Sequence, residues 1–374
     1  MTSPLRVGLI GCGAIGQIMH IPYLMDYDEK FKLVALSDAY APVLEAVADR
    51  YRIARRYTDW REMLAREEME AVIICHSGSH RDTLFAALDA GKHIFVEKPI
   101  TWNLREAKEV AARVAQSDRV VQVAYHKRYD PAFHYAREQV QHMRDIGLVR
   151  VTVLHPPNEM GLSPFRIRRG NGLIDEGHQS VIGIEEQVKA QLAAFAGGSL
   201  AGLVDEVLGP RKDDPTLRLG YGIIVVSMIH QVYTMHGFLG APVRVLSTDI
   251  WRKGLSIHSV VEYPNDVRCT FDWHFLGHIK DYREEYAFYG NHDRVLFQLP
   301  SPYLKNAPSP VIVHGGDEEL SWEKRVIVSY DEAFRNELLS FYENVRHNRQ
   351  PATAVPEALQ HMELIQQLID AARG

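Results

Sequence analysis

Between residues 5 and 38 the chain reads LRVGLIGCGAIGQIMHIPYLMDYDEKFKLVALSD, and no other stretch limits the possible folds as much. The apolar, β-branched run Leu5 to Ile10 suits a strand buried on both faces. Gly11, Gly13 and Gly16 follow in G-x-G-x-x-G spacing, then a helix-compatible segment and a second apolar run, Lys32 to Ser37. Asp38 closes the unit about twenty positions past the last glycine. Each glycine answers a separate need: Gly11 permits a tight turn, Gly13 lets backbone approach a pyrophosphate, and Gly16 lets the helix pack closely on the strand. The helix start, with Ala14 and Ile15, offers backbone N–H groups to phosphates. Three glycines alone would be a weak signal, but strand, helix and terminal acid together predict a dinucleotide site. Asp38 can accept hydrogen bonds from a ribose hydroxyl and would repel a 2′-phosphate, and no Arg or Lys occurs from Ala39 to Pro42, so NAD is expected rather than NADP. Pro22 predicts a kink or break near His20 to Pro22.

The rest of the first third repeats the alternation of short apolar strands with helices. Helices are expected over Pro42 to Tyr51, Asp59 to Glu67 (Trp60 and Leu64 inward), Thr83 to Ala90 and Leu104 to Ala115. Strands are expected at Ala71 to Cys75, His93 to Val96 and Val120 to Ala124. This order implies a parallel, doubly wound Rossmann sheet over residues 1–125. Ligands of such sheets lie beyond the carboxyl ends of the strands, so Gly11, Asp38, Ser77, Lys98 and Tyr125 are expected on one crevice.

After residue 125 the texture changes to an amphipathic helix from Asp130 to Met143, a strand from Val149 to Leu154 and, from Leu246 onward, period-two runs. Those runs, among them Ser259 to Glu262, Val267 to Trp273 and Arg325 to Val328, predict an α+β domain over 126–374 with an open, mainly antiparallel sheet. Two helices, Glu332 to Val345 and Pro356 to Ala372, close it.

With 374 residues, 46% hydrophobic, and a net charge of −6, the chain suits a two-domain globular protein and advertises no basic surface for nucleic acid or anionic lipid. Cys12, Cys75 and Cys269 are too few and scattered for a disulfide framework or zinc site, and no His–Glu or His–Cys spacing points to a metal. The N-terminus enters its first strand within a few residues and no run approaches eighteen apolar positions, so neither secretion nor a membrane span is expected and a cytoplasmic address follows.

Two residues stand out for chemistry. Lys98, at the mouth of the expected crevice between Glu97 and a rigid proline, could polarise a substrate oxygen. His230 lies in a mostly apolar helix, where a lone histidine is more often a satisfied core residue, yet it is the side chain best matched to general acid/base work near neutrality.

The segments Gly91-Lys92-His93-Ile94-Phe95-Val96-Glu97-Lys98-Pro99, the loop ending in His80, Lys127 to Phe133, Phe334 to Phe341 and Arg349 to Thr353 together resemble the glucose-fructose oxidoreductase, inositol dehydrogenase and rhizopine-catabolism (Gfo/Idh/MocA) family. The resemblance spans nearly the whole chain outside an insertion at about 156–220, and Glu97-Lys98-Pro99 is its most specific part. It implies an NAD-dependent oxidoreductase acting on a hydroxyl or keto group of a cyclic polyol, sugar or glycoside, assembled as a homodimer or homotetramer. It implies Lys98 and His230 as catalytic, both reaching the substrate oxygen beside the nicotinamide. Ser77, His80, Glu97, Lys98 and His126 would join the glycine turn and Asp38 in holding the cofactor. Tyr125, Arg128, His155 and Tyr233 would contact substrate, although for Arg128 a structural ion pair is as good a reading. The family's D-x-G-x-H pattern is broken here: Val226 stands in place of the aspartate, Met228 of the glycine and Tyr233 of the last acid. The partner that orients the histidine must therefore come from elsewhere. The insertion carries Asp175 and His178, either a chance echo of that pattern in a loop or part of a substrate-contacting lid. Val226 also leaves open a nucleotide-binding sensor without catalysis, and the family a redox-neutral NAD-dependent glycosidase.

Overall fold

A computed structural model describes residues 3–169 and 198–373. Asp175, His178 and the helix expected from Gly183 to Phe195 lie outside the described residues. Among the described residues, packing gathers those of 3–125, 163–169 and 334–359 into one unit and those of 126–162, 198–333 and 360–373 into another.

In the first unit the strands are β1 (Leu5–Ile10), β2 (Phe31–Ser37), β3 (Arg55–Tyr57), β4 (Ala71–Ile74), β5 (His93–Glu97) and β6 (Val121–Ala124). All pair parallel in the order β3-β2-β1-β4-β5-β6, the doubly wound arrangement whose strand order reverses beside β1. The apolar runs form strands because both sheet faces are covered: every residue of β4 and β6 is buried. Asp59 and Asn103 cap the helices that follow them by accepting hydrogen bonds from Arg61 N–H and Glu106 N–H. In the first of these helices Met63 and Leu64 are the buried pair, while Trp60 is half-exposed beneath the Arg61 guanidinium.

No break occurs near Pro22: the chain is helical without interruption from Ala14 to Asp26, and the irregularity is a π-type turn, Gly16–His20, in which Ile21 N–H reaches Gly16 O just before the proline, which has no N–H to donate. Residues 334–359, read from sequence as part of the second domain, pack on this unit. Gln122 donates to Glu337 O and accepts from Asn344, while Val123 exchanges backbone and side-chain hydrogen bonds with Thr353 across the free edge of β6. Covering that edge removes a row of unpaired backbone groups.

The second unit is built on a nine-stranded sheet. Its strands are β7 (Leu148–His155), β8 (Arg244–Trp251), β9 (Ser256–Tyr263), β10 (Val267–Phe275), β11 (Arg283–Tyr289), β12 (Asp293–Leu299), β13 (Pro310–Gly316), β14 (Ser321–Ile327) and β15 (Ala372–Arg373). The order is β14-β13-β12-β11-β7-β10-β9-β8-β15, antiparallel except for the β7–β10 and β8–β15 pairs. Strict alternation of buried and half-buried residues along β10 is the period-two pattern of a sheet with one packed face. That face carries the helical run Pro215–Leu239, 25 residues long, whose most apolar 18-residue window has a mean hydropathy of 1.3, apolar enough by composition to cross a bilayer. Here 72% of its most apolar window is buried inside the fold, with Phe238 set among the rings of Phe133, Phe288 and Phe297.

Candidate active site

The glycine turn in the first unit behaves as the spacing predicts. Gly11 has φ +99°, and a Cβ there would lie 2.3 Å from His76 N, so the approach of two backbones excludes any side chain. A Cβ on Gly16 would come within 2.8 Å of Gly11 O, the close helix–strand contact expected of the third glycine. Gly13 is exposed, and a Cβ there would meet nothing within 4 Å. The helix start at Ala14 and Ile15 precedes the first intrahelical bond, Gln17 N–H to Gly13 O. Asp38, half-buried, closes the turn: Oδ2 accepts from Cys12 N–H at 2.7 Å and Oδ1 from Tyr40 N–H at 2.8 Å. Each carboxylate oxygen has a second lone pair for a ribose hydroxyl. An open glycine between two crowded ones, a helix N-terminus and an acid at the rim fit a dinucleotide. Cys12 is packing: burial, with Asp38 nearby, pushes its thiol up to about 12.

Buried Gln17 ties another segment to this turn. Its amide donates to Cys12 O and Arg168 O and accepts from Arg168 N–H, while Arg50 donates to Arg166 O. The start of the insertion is thus fastened to the nucleotide unit, a link of 151 positions that no local pattern encodes.

Lys98 sits half-buried at the end of β5, before a cis Lys98–Pro99 peptide. Its backbone N–H donates to Glu97 Oε2 at 3.2 Å, and Glu97 Oε1 is 2.8 Å from His20 Nε2. Burial alone would raise the Glu97 carboxyl, but the His20 hydrogen bond and the Lys98 charge outweigh it and hold the group below the usual carboxylate range. Glu97 and His80, expected among the cofactor contacts, both make hydrogen bonds within this unit. Glu97 is 7% exposed with its carboxylate turned onto His20 and the Lys98 backbone. His80 is 2% exposed, each ring nitrogen 2.8 Å from a carbonyl oxygen, those of Pro99 and His76. His80 therefore stitches the loop after β4 to the turn carrying Lys98. Both carbonyls favour a second ring proton, but burial, helped by neighbouring His76, pulls the pKa down to about 4. Ser77 is exposed and Tyr125 buried. Glu337 brings a carboxylate oxygen within 4.8 Å of the facing ligand atoms of His20 and Glu97, all three side chains being buried.

In the second unit His230 is half-buried, preceded by a π-type turn, Ile224–Met228, that contains Val226. Its Nδ1 lies 2.8 Å from the Tyr233 hydroxyl, and its ring meets that of His126 edge-on at 5.3 Å. Tyr233, expected to touch substrate, is fully buried, with its hydroxyl beside His230 Nδ1. Arg128, read as a substrate contact or a structural ion pair, is half-buried. Its guanidinium packs on the Phe133 ring and donates to Tyr233 O, and a Cβ on Gly237 would fall 2.5 Å from its Nε. His155 hydrogen-bonds Pro156 O through Nδ1 and lies against Trp273 and Tyr282, while Trp273 Nε1–H donates to Ser227.

Beneath His126 and Arg128 is a buried ion pair that sequence reading missed. Lys127 Nζ is 2.7 and 2.6 Å from the two oxygens of Glu284, which also accept from Gln231, Tyr282 and Tyr286. Burial lowers the Lys127 pKa against the pull of Glu284. For Glu284, burial is outweighed by Lys127 and the two phenols, which keep it below the ordinary carboxylate range.

A family model described as an oxidoreductase family with an NAD-binding Rossmann fold matches residues 5–125. The uncharacterized oxidoreductase YrbE of Bacillus subtilis is 32% identical over 169 residues, 42% of this chain and 47% of the relative. The myo-inositol 2-dehydrogenase of Thermotoga maritima is 29% identical over 219 residues, 57% and 63% of the two chains. An inositol 2-dehydrogenase/D-chiro-inositol 3-dehydrogenase of Lacticaseibacillus casei is 31% identical over 189 residues, 46% of this chain and 52% of the relative. The chain thus spans about half to two thirds of the length of these relatives. Among solved structures, a 3-ketoreductase from Actinomadura kijaniata in complex with NADP superposes with a TM-score of 0.70 at 15% identity, over 99% of this chain and 98% of that one. A myo-inositol 2-dehydrogenase from Lactobacillus plantarum gives a TM-score of 0.70 at 20% identity over 98% and 97%. These likenesses establish the shared fold.

Proposed function

Because this chain belongs, through residues 5–125, to the Gfo/Idh/MocA family of oxidoreductases, we propose that it oxidises a secondary hydroxyl of a cyclic polyol, sugar or glycoside with NAD, or reduces the corresponding ketone. The observation that carries this reading is the Asp38-closed glycine turn, open at Gly13 alone. Inositol dehydrogenases among the relatives supply the substrate class. The preference for NAD rests on the Asp38 carboxylate, which disfavours a 2′-phosphate where no cation follows it.

Bound NAD would supply the hydride acceptor. The protein's part is to hold the substrate hydroxyl and manage its proton. Lys98 is proposed to hold that oxygen as an ammonium donor and to stabilise the charge that develops there. His230 is proposed to accept the proton at Nε2, since its Nδ1 is engaged by Tyr233. The mount of Lys98, with Glu97, His20 and His80 all tied down, suits a group whose position must not drift.

Incubation with NAD and a panel of inositols, sugars and glycosides, read by NADH absorbance, tests the activity. Lys98→Met should lower turnover at least a hundredfold, an effect of order that seen when an oxyanion donor is removed, with NAD affinity held within about twofold. NAD binding with no NADH from any substrate would instead mark a sensor, and aglycone release without net NADH a redox-neutral glycosidase.

A further inference from the structure

A histidine serving as base at Nε2 needs its other nitrogen protonated and fixed, because the wrong tautomer presents N–H where a lone pair is required. On this helix the residue one turn upstream, Val226, has an apolar side chain and supplies no carboxylate. Tyr233 stands three positions on, on the same helical face, with its hydroxyl 2.8 Å from His230 Nδ1. The phenol is 0% exposed, its ring packed between those of His230 and His361, at 5.5 and 6.5 Å. The histidine carbonyl accepts from Thr234 at 2.6 Å, which pins the backbone of the same turn.

We propose that Tyr233 is the positioning residue of His230: its oxygen accepts Nδ1–H, fixes the ring and leaves Nε2 with the lone pair, the task a carboxylate would perform elsewhere. This rests on His230 being the base proposed above. A neutral phenol differs from a carboxylate in one consequential way. It stabilises the imidazolium as a dipole rather than as a counter-charge, so proton uptake at Nε2 is favoured less and the proton is passed on more readily. The other groups around the pair are His126, edge-on to His230; the Arg128 guanidinium on Tyr233 O; His361 beyond the phenol; and Tyr282, just before β11, and Tyr286 of β11, both of which donate to Glu284. None of these puts a carboxylate on His230 Nδ1, which is taken by the phenol.

Ring-15N-labelled protein, with the His230 signals assigned through His230→Gln, tests this in the resting state. The proposal expects the wild type to show the Nδ1–H tautomer. Tyr233→Phe, which removes one oxygen from a buried ring and keeps its shape, should give a mixed tautomer and a lower His230 titration midpoint. It should also cut kcat about tenfold or more, with KM for NAD unchanged and the acid limb of the rate profile displaced with the NMR midpoint. An Nε2–H tautomer in the wild type, or a tautomer and pH profile unaltered by Tyr233→Phe, would overturn it. His230→Ala with full turnover would sink the base assignment instead, and the ring spectra would still report on the Tyr233 contact.

Discussion

Replacing Glu284 by glutamine should be among the most damaging isosteric changes in the second unit. The carboxylate is completely buried and the Lys127 side chain 5% exposed, so the glutamine variant leaves an ammonium in a dry site with no counter-charge. Removing one partner of such a pair costs about 3–5 kcal/mol, because the stranded charge keeps its desolvation penalty. Lys127 alone would sit at the upper end, since both carboxylate oxygens accept from it, but the amide oxygen of glutamine can still take one of the hydrogen bonds from Gln231, Tyr282 and Tyr286. We therefore expect about 4 kcal/mol, or a melting temperature lower by roughly 8–16 °C at about 2–4 °C per kcal/mol for a unit of this size. Thermal and urea unfolding followed by tryptophan fluorescence report it directly, Trp251 and Trp273 both lying in this unit. Lys127→Met combined with Glu284→Gln removes the stranded charge and should recover at least half of the loss. A single Glu284→Gln variant melting within about 2 °C of wild type would refute the reasoning, for it would mean that Lys127 is solvated or neutral. Activity should fall with stability, because Lys127 holds the turn on which His126 meets the His230 ring.

Gly13→Ala and Gly11→Ala should separate binding from folding. The first adds a methyl that meets no protein atom, so stability should hold while NAD affinity, read by titration calorimetry, falls at least about tenfold; the second forces a Cβ against His76 N at φ +99° and should destabilise the fold by about 1–3 kcal/mol in urea titration. His80 makes acid stability predictable. Its ordinary value of 6.5 drops to about 4 in the fold, so the unfolded chain binds the proton first and stability falls as pH drops from about 6.5 to about 4, by at most about 3 kcal/mol, with no further loss from this group below that. His80→Gln should flatten the dependence of urea midpoints across that window, and an unchanged slope would refute the assignment. Gly237→Ala should displace Arg128 from Phe133 and lower the melting temperature by several degrees, at a cost of about 1–3 kcal/mol for overpacking.

The nucleotide unit was legible because its signals are local. Short apolar runs bounded by glycine, proline and capping residues gave β1, β2, β4, β5 and β6 to within a residue or two, while the short, polar β3 (Arg-Arg-Tyr) carries no such signal and was missed; two of the caps, Asp59 and Asn103, sit one position before the helices they start. The glycine spacing carries its own geometry, so Gly11, Gly13 and Gly16 can be given separate tasks from sequence alone. Period-two patterning likewise gave β7, β9 and β10 of the second sheet, though not the parallel pairing of β7 with β10, which depends on a partner more than a hundred positions away. Wherever a side chain's role depends on such a distant partner, the sequence was ambiguous or silent. Nothing near Glu97 in the sequence points to His20, 77 positions earlier, on its carboxylate, and nothing near Lys127 points to Glu284, 157 positions later, beside its ammonium.

Tyr233 is the instructive exception, because its partner is only three residues away. The helix period puts positions 230 and 233 on one face, and a hydroxyl at that spacing can reach a ring nitrogen, so the contact could have been deduced once Val226 was seen to supply no acid. What concealed it was a comparison of residue types position by position, which recorded tyrosine only as the loss of a carboxylate. The role proposed for His230 requires an acceptor at Nδ1, not a particular residue type, and a phenol 2.8 Å away can meet that requirement without adding a negative charge. Loss of a family acid at one position is therefore no measure of lost chemistry until each side chain within a helical turn has been considered as its replacement.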